Sequence, residues 1–250
     1  DGTLAEARRL WGEVGRKNLM IKIPGTPEGV GAVRQALVEG INVNVTLLFS
    51  PAAHEAVMLA HADALEERQA NGLPVDEVDS VASFFVSRVD SAVDAALEAE
   101  GGDALKLCGK AAVANAKIAY ANFAEFSASE RWQKLSAAGA RPQRPLWAST
   151  STKNPEYPDT IYVGELIGRD TVNTMPTNTV DAWRDHGDAT ADTVLEDLEG
   201  ARALFADLHA RGIDFEAITD KLLADGVRQF EDAFATLLGE LQQKAPGSAR

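Results

Sequence analysis

A single cysteine, Cys108, stands among 250 residues, which rules out an internal disulfide framework and a thiolate metal cluster. That usage fits a reducing compartment, and the cytoplasm is the expected location. Basic residues are also scarce: 24 Lys and Arg against 38 Asp and Glu give a net charge of −14, with no basic run longer than the Arg8-Arg9 pair. A field of that sign repels phosphate backbones and anionic lipid, so neither nucleic acid nor a membrane surface is an expected partner. No stretch reaches the roughly 18 uninterrupted apolar residues of a membrane helix. Missing too are a Gly-rich phosphate fingerprint, a G-x-S-x-G nucleophile elbow, internal repeats and low-complexity segments. The histidines do not group as metal ligands. His54 and His61 fall on what reads as an exposed helix, His186 and His209 lie far along the chain, and solvated side chains account for them.

What is present is a rhythm. Leu4, Ala7, Leu10, Trp11 and Val14 follow helical spacing, and Leu19 to Ile23 is a short apolar strand stopped by Pro24-Gly25. Thr26 then caps a helix with Pro27 at its first position and Glu28 in its first turn, and Gly40 ends it. Ile41 to Phe49 is the next strand, Ser50-Pro51 opens an Ala-rich helix to about Asn71, and Ser80 to Val86 is a third strand. A long helix over 111–135, a strand over 146–150, a short helix over 162–167 and a strand over 171–175 follow. Helices fill most of 181–241. Alternating strands and helices without a phosphate fingerprint favour a (β/α)8 TIM barrel over a doubly wound sheet. One domain over 1–242 is expected, with a mobile tail over 243–250.

Side chains alternate along a strand, so Met20 and Lys22 share one face while Ile21 and Ile23 share the other. In the next strand Asn42, Asn44 and Thr46 oppose Ile41, Val43, Val45 and Leu47. One face is apolar and packs on helices, whereas the other is polar and, in a barrel, faces the interior where sites are built. A lysine held there loses hydration, which favours the free amine that attacks carbonyls. Its natural chemistry is a Schiff base whose iminium draws electrons from a breaking carbon–carbon bond. Asn and Thr bind sugar hydroxyls without adding charge. For Lys22 alone, a side chain snorkelling from an edge strand is the plainer account. Two asparagines on the adjoining strand argue against it, since buried amides are costly unless satisfied. "SFFVSR" ends the third strand with Arg88 where a phosphate could sit, and "WASTSTK" sets Ser149 and Ser151 on one strand face with Lys153 just beyond.

Taken together, "LMIKIPGTPEG", "GINVNVTLLFS", "SFFVSR" and "WASTSTKNPEYPDTIYVGELIGRDTVNTMPTNTVDAW" resemble the transaldolases over essentially the whole chain. The resemblance implies a (β/α)8 barrel, no cofactor, and transfer of a dihydroxyacetone unit between sugar phosphates in the pentose phosphate pathway: sedoheptulose 7-phosphate and glyceraldehyde 3-phosphate give erythrose 4-phosphate and fructose 6-phosphate. It makes Lys22 the Schiff-base lysine, Asn44 the amide on the substrate hydroxyls and Thr46 the holder of the catalytic water. Ser83 and Ser149 become hydroxyl contacts and Arg88 the phosphate-binding arginine. Many members carry a second arginine at the position of Ser151, and Lys153 is the expected replacement.

The same resemblance places three further barrel strands, with an aspartate and a glutamate for proton transfer, before the helix that Asp1 enters. The chain is therefore expected to hold the last five strands of the barrel, and an N-terminal piece or another copy of the chain becomes an expected partner for its open edges. Two other readings stay open: a lysine aldolase of the fructose 6-phosphate type that releases its product to water, and a non-catalytic assembly piece.

Overall fold

A computed structural model describes residues 2–244. The opening helix α1 (Gly2–Val14) leads into β1 (Ile21–Pro24), α2 (Pro27–Val38), β2 (Val43–Leu48), α3 (Pro51–Ala70), β3 (Ser80–Phe85) and α4 (Ser87–Glu100). After a 3₁₀ turn come α5 (Ala111–Ala128), α6 (Glu130–Ala137), β4 (Arg144–Ala148), α7 (Ile161–Gly164), β5 (Val172–Asn173) and α8 (Thr177–His186). The chain then continues through α9 (Leu198–Ala210) and α10 (Phe215–Lys244).

The predicted caps form. Thr26 Oγ1 accepts from the Gly29 amide at 3.0 Å and Ser50 Oγ from the Ala53 amide at 3.2 Å, each followed by proline at the first helical position. All strand pairs are parallel and the order is β1-β2-β3-β4-β5, with no reversal of direction along the sheet. Consecutive parallel strands joined through helices build a singly wound α/β sheet, distinct from the reversing order of a doubly wound one. Val43, Val45 and Ile23 are almost fully buried, contributing roughly 1.5–3 kcal/mol each by burial. Trp147 lies in the same core, its indole N–H donating to the Leu166 carbonyl at 2.9 Å and its ring meeting Phe84 edge-on at 6.0 Å.

Several expectations change. The helix expected over 111–135 is two helices, because Ser129 ends α5 and caps α6 by accepting from the Trp132 amide at 3.2 Å. The turn lets Trp132 pack at 5.9 Å on both Phe126 and His61. His54 and His61 are buried to 1% exposure, the reverse of the solvated side chains expected, because the inner face of α3 turns them against Phe84 and Trp132. Asn42 lies just before the start of β2, two residues ahead of Asn44, and its side chain is tied to the segments that lead into β1 and β3. It donates to the Lys17 and Leu19 carbonyls and accepts from the Asp79 amide at 2.8 Å, a staple between strand starts. Of the tail expected over 243–250, Gln243 and Lys244 belong to α10, and residues 245–250 lie outside those described.

Candidate active site

Register places the polar residues together. Lys22 pairs with Asn44 across β1 and β2, and the Ser83 hydroxyl, from β3, donates to Asn44 Oδ1 at 2.7 Å. Three adjacent strands thus present an amine, an amide and a hydroxyl on one face. Lys22 is exposed rather than desolvated as expected, because β1 has a strand neighbour on one side only among the described residues. Its Nζ lies 5.8 Å from the centre of the Phe230 ring, a cation–π approach from α10. Thr46 is 4% exposed and its hydroxyl has no hydrogen-bond partner, an arrangement that normally calls for one.

The backbone is irregular here. Leu47, the residue after Thr46, has φ 61°, and the β2–β3 register shifts between Val45 and Leu48. Ser149, at the end of β4, has φ 57°. Non-glycine residues in this region cost of order 1–3 kcal/mol and cluster at functional sites.

Ser149 and Ser151 do not share a strand face as expected, because β4 ends at Ala148. The left-handed turn instead aims Ser149 Oγ at Ser87 Oγ, 2.9 Å away, while the Ser87 amide donates to the Ser149 carbonyl at 3.0 Å. Arg88 lies next to Ser87, its guanidinium 5.4 Å from the Phe85 ring centre, and its Nη1 donates to Gln229 Oε1 at 3.0 Å. Lys153 is exposed, with Nζ 3.3 Å from Ser151 Oγ. It lines a cavity of about 210 Å³ together with Ser87, Asp90, Asp94, Tyr157 and Tyr162.

Two of the carboxylates lining that cavity, both buried, accept from phenols. Asp90 accepts from the Tyr162 hydroxyl at 2.6 Å and the Ala112 amide at 2.7 Å; Asp94 accepts from the Tyr157 hydroxyl at 2.7 Å and the Gly109 amide at 2.9 Å. Desolvation pushes the Asp90 carboxyl up to about 6, and burial likewise raises the Tyr162 phenol. Neither pair was foreseen, since nothing in sequence links Asp90 to Tyr162. Gln229 and Phe230 were also missed; their helix was expected, but not that it crosses the site. A cavity of about 500 Å³ lies elsewhere, between α5, α7 and α9, and none of the predicted site residues lines it.

Residues 1–241 match the sequence pattern of the family described as Transaldolase/Fructose-6-phosphate aldolase. The chain belongs to this family. It is 49% identical to a transaldolase of Parafrankia sp. (strain EAN1pec) over 99% of this chain and 67% of that protein. It is 52% identical to a transaldolase of Acidothermus cellulolyticus over 95% of this chain and 64% of that protein, and 49% identical to one of Mycolicibacterium smegmatis over 97% and 66%. This member of the transaldolase/fructose-6-phosphate aldolase family thus spans about two thirds of the length of these relatives.

Proposed function

We propose that the chain carries the Schiff-base site of a transaldolase that moves a dihydroxyacetone unit between sugar phosphates, in a (β/α)8 barrel to which it contributes five consecutive strands. The observation that carries the reading is the Lys22–Asn44–Ser83 row across β1, β2 and β3. The consecutive parallel strand order supports the barrel, and the single free thiol of Cys108 suits a cytoplasmic enzyme.

In this reading Lys22 Nζ attacks the ketose carbonyl, the carbinolamine loses water, and the iminium accepts the electrons released as the C3–C4 bond breaks. The aldose departs, and the enamine left on Lys22 adds to an acceptor aldehyde. Asn44 accepts from Ser83 through its oxygen, which leaves its amide N–H groups to donate to substrate hydroxyls. Thr46 offers an unengaged hydroxyl to the water lost and regained. Arg88 grips the phosphate with Lys153, and Ser149 supplies a hydroxyl beside them. The resemblance assigns proton transfer to carboxylates on strands that precede Lys22 in the family.

Intact mass before and after incubation with fructose 6-phosphate and borohydride tests this. Wild-type protein is expected to gain one reduced dihydroxyacetone unit and Lys22→Ala none. Label retained by Lys22→Ala would remove Lys22 from the chemistry.

A further inference from the structure

The last helix is not assigned any part in the chemistry above, yet two consecutive side chains of α10 touch the two ends of the site. Phe230 stands over Lys22 Nζ at 5.8 Å, and Gln229 Oε1 accepts from Arg88 Nη1 at 3.0 Å. Gly226 makes this approach possible. One turn earlier on the same face, it packs against Leu47 so closely that a Cβ would lie 2.9 Å from Leu47 Cδ2. Leu47 is 2% exposed and held at φ 61° by the bulge in β2, so the strand irregularity and the missing side chain meet at one contact. Phe230 itself is 50% exposed. A half-exposed phenyl ring gains little by burial, and its contact with the ammonium is what its position provides.

We propose, resting on the Schiff-base reading, that α10 is a specificity element of this site: Gln229 positions Arg88 for the phosphate end of the donor, and Phe230 covers the imine on Lys22 against water. The chemistry separates the two roles. A guanidinium has five N–H donors in one plane. With one engaged by Gln229 and the guanidinium carbon 5.4 Å from the Phe85 ring centre, the group is less free to turn and its remaining donors are left for a phosphate. Gln229 is accordingly a positioning residue that acts through Arg88. At the other end, release needs water twice. The enamine carbon takes a proton from water to give the dihydroxyacetone iminium; water then adds to the iminium carbon, a proton passes to nitrogen, and the C–N bond breaks to give the ketone and the protonated amine. Dihydroxyacetone is then lost instead of passed to the acceptor aldehyde. An apolar ring over the nitrogen lowers the rate of that loss, so Phe230 decides how the intermediate partitions between transfer and release.

The test uses the full chain as wild type, Gln229→Ala, Gln229→Glu, Phe230→Ala and Phe230→Leu. Each is first checked for an unchanged melting transition, then for borohydride labelling by fructose 6-phosphate, then for KM, kcat and free dihydroxyacetone released per transfer. Gln229→Ala is expected to raise KM for fructose 6-phosphate about fivefold, and Gln229→Glu, which sets a carboxylate against the same guanidinium, more than tenfold. KM for unphosphorylated fructose should stay within about twofold in both, a split that a general loss of structure would not produce. Phe230→Ala is expected to raise dihydroxyacetone release per transfer about tenfold, with Phe230→Leu recovering most of the wild-type ratio. Wild-type protein that takes no label overturns both this proposal and the Schiff-base reading. Labelled protein whose KM ratio and release ratio do not move in the variants overturns the role of α10 alone.

Discussion

Ser83 donates its hydroxyl to Asn44 Oδ1 at 2.7 Å, and this one bond decides which way the amide faces. With the oxygen occupied by the Ser83 hydroxyl, the amide N–H groups are left to donate beside Lys22, the register partner of Asn44. Ser83→Ala releases that constraint while leaving Asn44 in place. The expected outcome is a loss of about tenfold in kcat/KM for the sugar-phosphate donor, in line with one hydrogen bond, and a larger loss for Asn44→Ala. Steady-state kinetics that show Ser83→Ala equal to wild type would place the orientation of Asn44 under other control.

The rings of His54 and His61 are buried against Phe84 and Trp132, and burial alone pushes both down to about 4. Each is neutral in the folded state at pH 5 but charged when unfolded, where the pKa is about 6.5. The unfolded state therefore binds more protons between pH 6.5 and 4, and stability falls as pH falls through that window. Replacing His61 by leucine removes one of these contributions. Between pH 7 and pH 5 the wild type should lose about 2 kcal/mol relative to His61→Leu, measured by denaturant unfolding at each pH. Parallel stability curves would show that His61 protonates freely in the folded protein.

Asp90 works in the opposite sense. Its carboxyl is held at about 6, above the ordinary carboxylate value, so the folded state retains a proton that the unfolded state has lost. Stability from this group is present at pH 4 and is lost as pH rises through 6. Relative to Asp90→Asn, the wild type should lose about 2 kcal/mol between pH 4 and pH 7. Over pH 4 to 6 this slope opposes that of the histidines, so only the variant comparison resolves either one.

Gly226 and Leu47 form the contact that brings α10 onto β2. Gly226→Val inserts a branched side chain where even a single carbon is too close, and Leu47 is buried and cannot swing away. A cost of 1–3 kcal/mol, roughly, is expected from overpacking, together with loss of the Phe230 and Gln229 contacts. Leu47→Ala alone costs stability through a cavity, but combined with Gly226→Val it should restore part of the loss. Thermal melts of the four proteins form the cycle, and strict additivity would mean that the two residues do not share this space.

The amino-acid sequence by itself determined the alternation of strands and helices, because caps such as Thr26-Pro27 and Ser50-Pro51 and the two-residue period of "NVNVT" are local properties of the chain. It also placed Lys22, Asn44 and Thr46 on polar strand faces, since side-chain alternation needs no knowledge of the neighbouring strands, whereas Ser83 came only from the family resemblance. Only the tertiary structure decided what depends on which surfaces meet. The same helical period that made α3 look solvated conceals which of its sides faces β3 and α6, so His54 and His61 turned out buried. Ser149 left its strand because one residue adopts a left-handed turn, a conformation that its neighbours impose and its own side chain does not favour. Asp90 meets Tyr162 across 72 residues and Arg88 meets Gln229 across 141, separations at which no local pattern carries information. The path of α10 over Lys22 is of this kind as well, because it rests on the packing of Gly226 against Leu47, a contact between distant parts of the chain that exists only once both have folded.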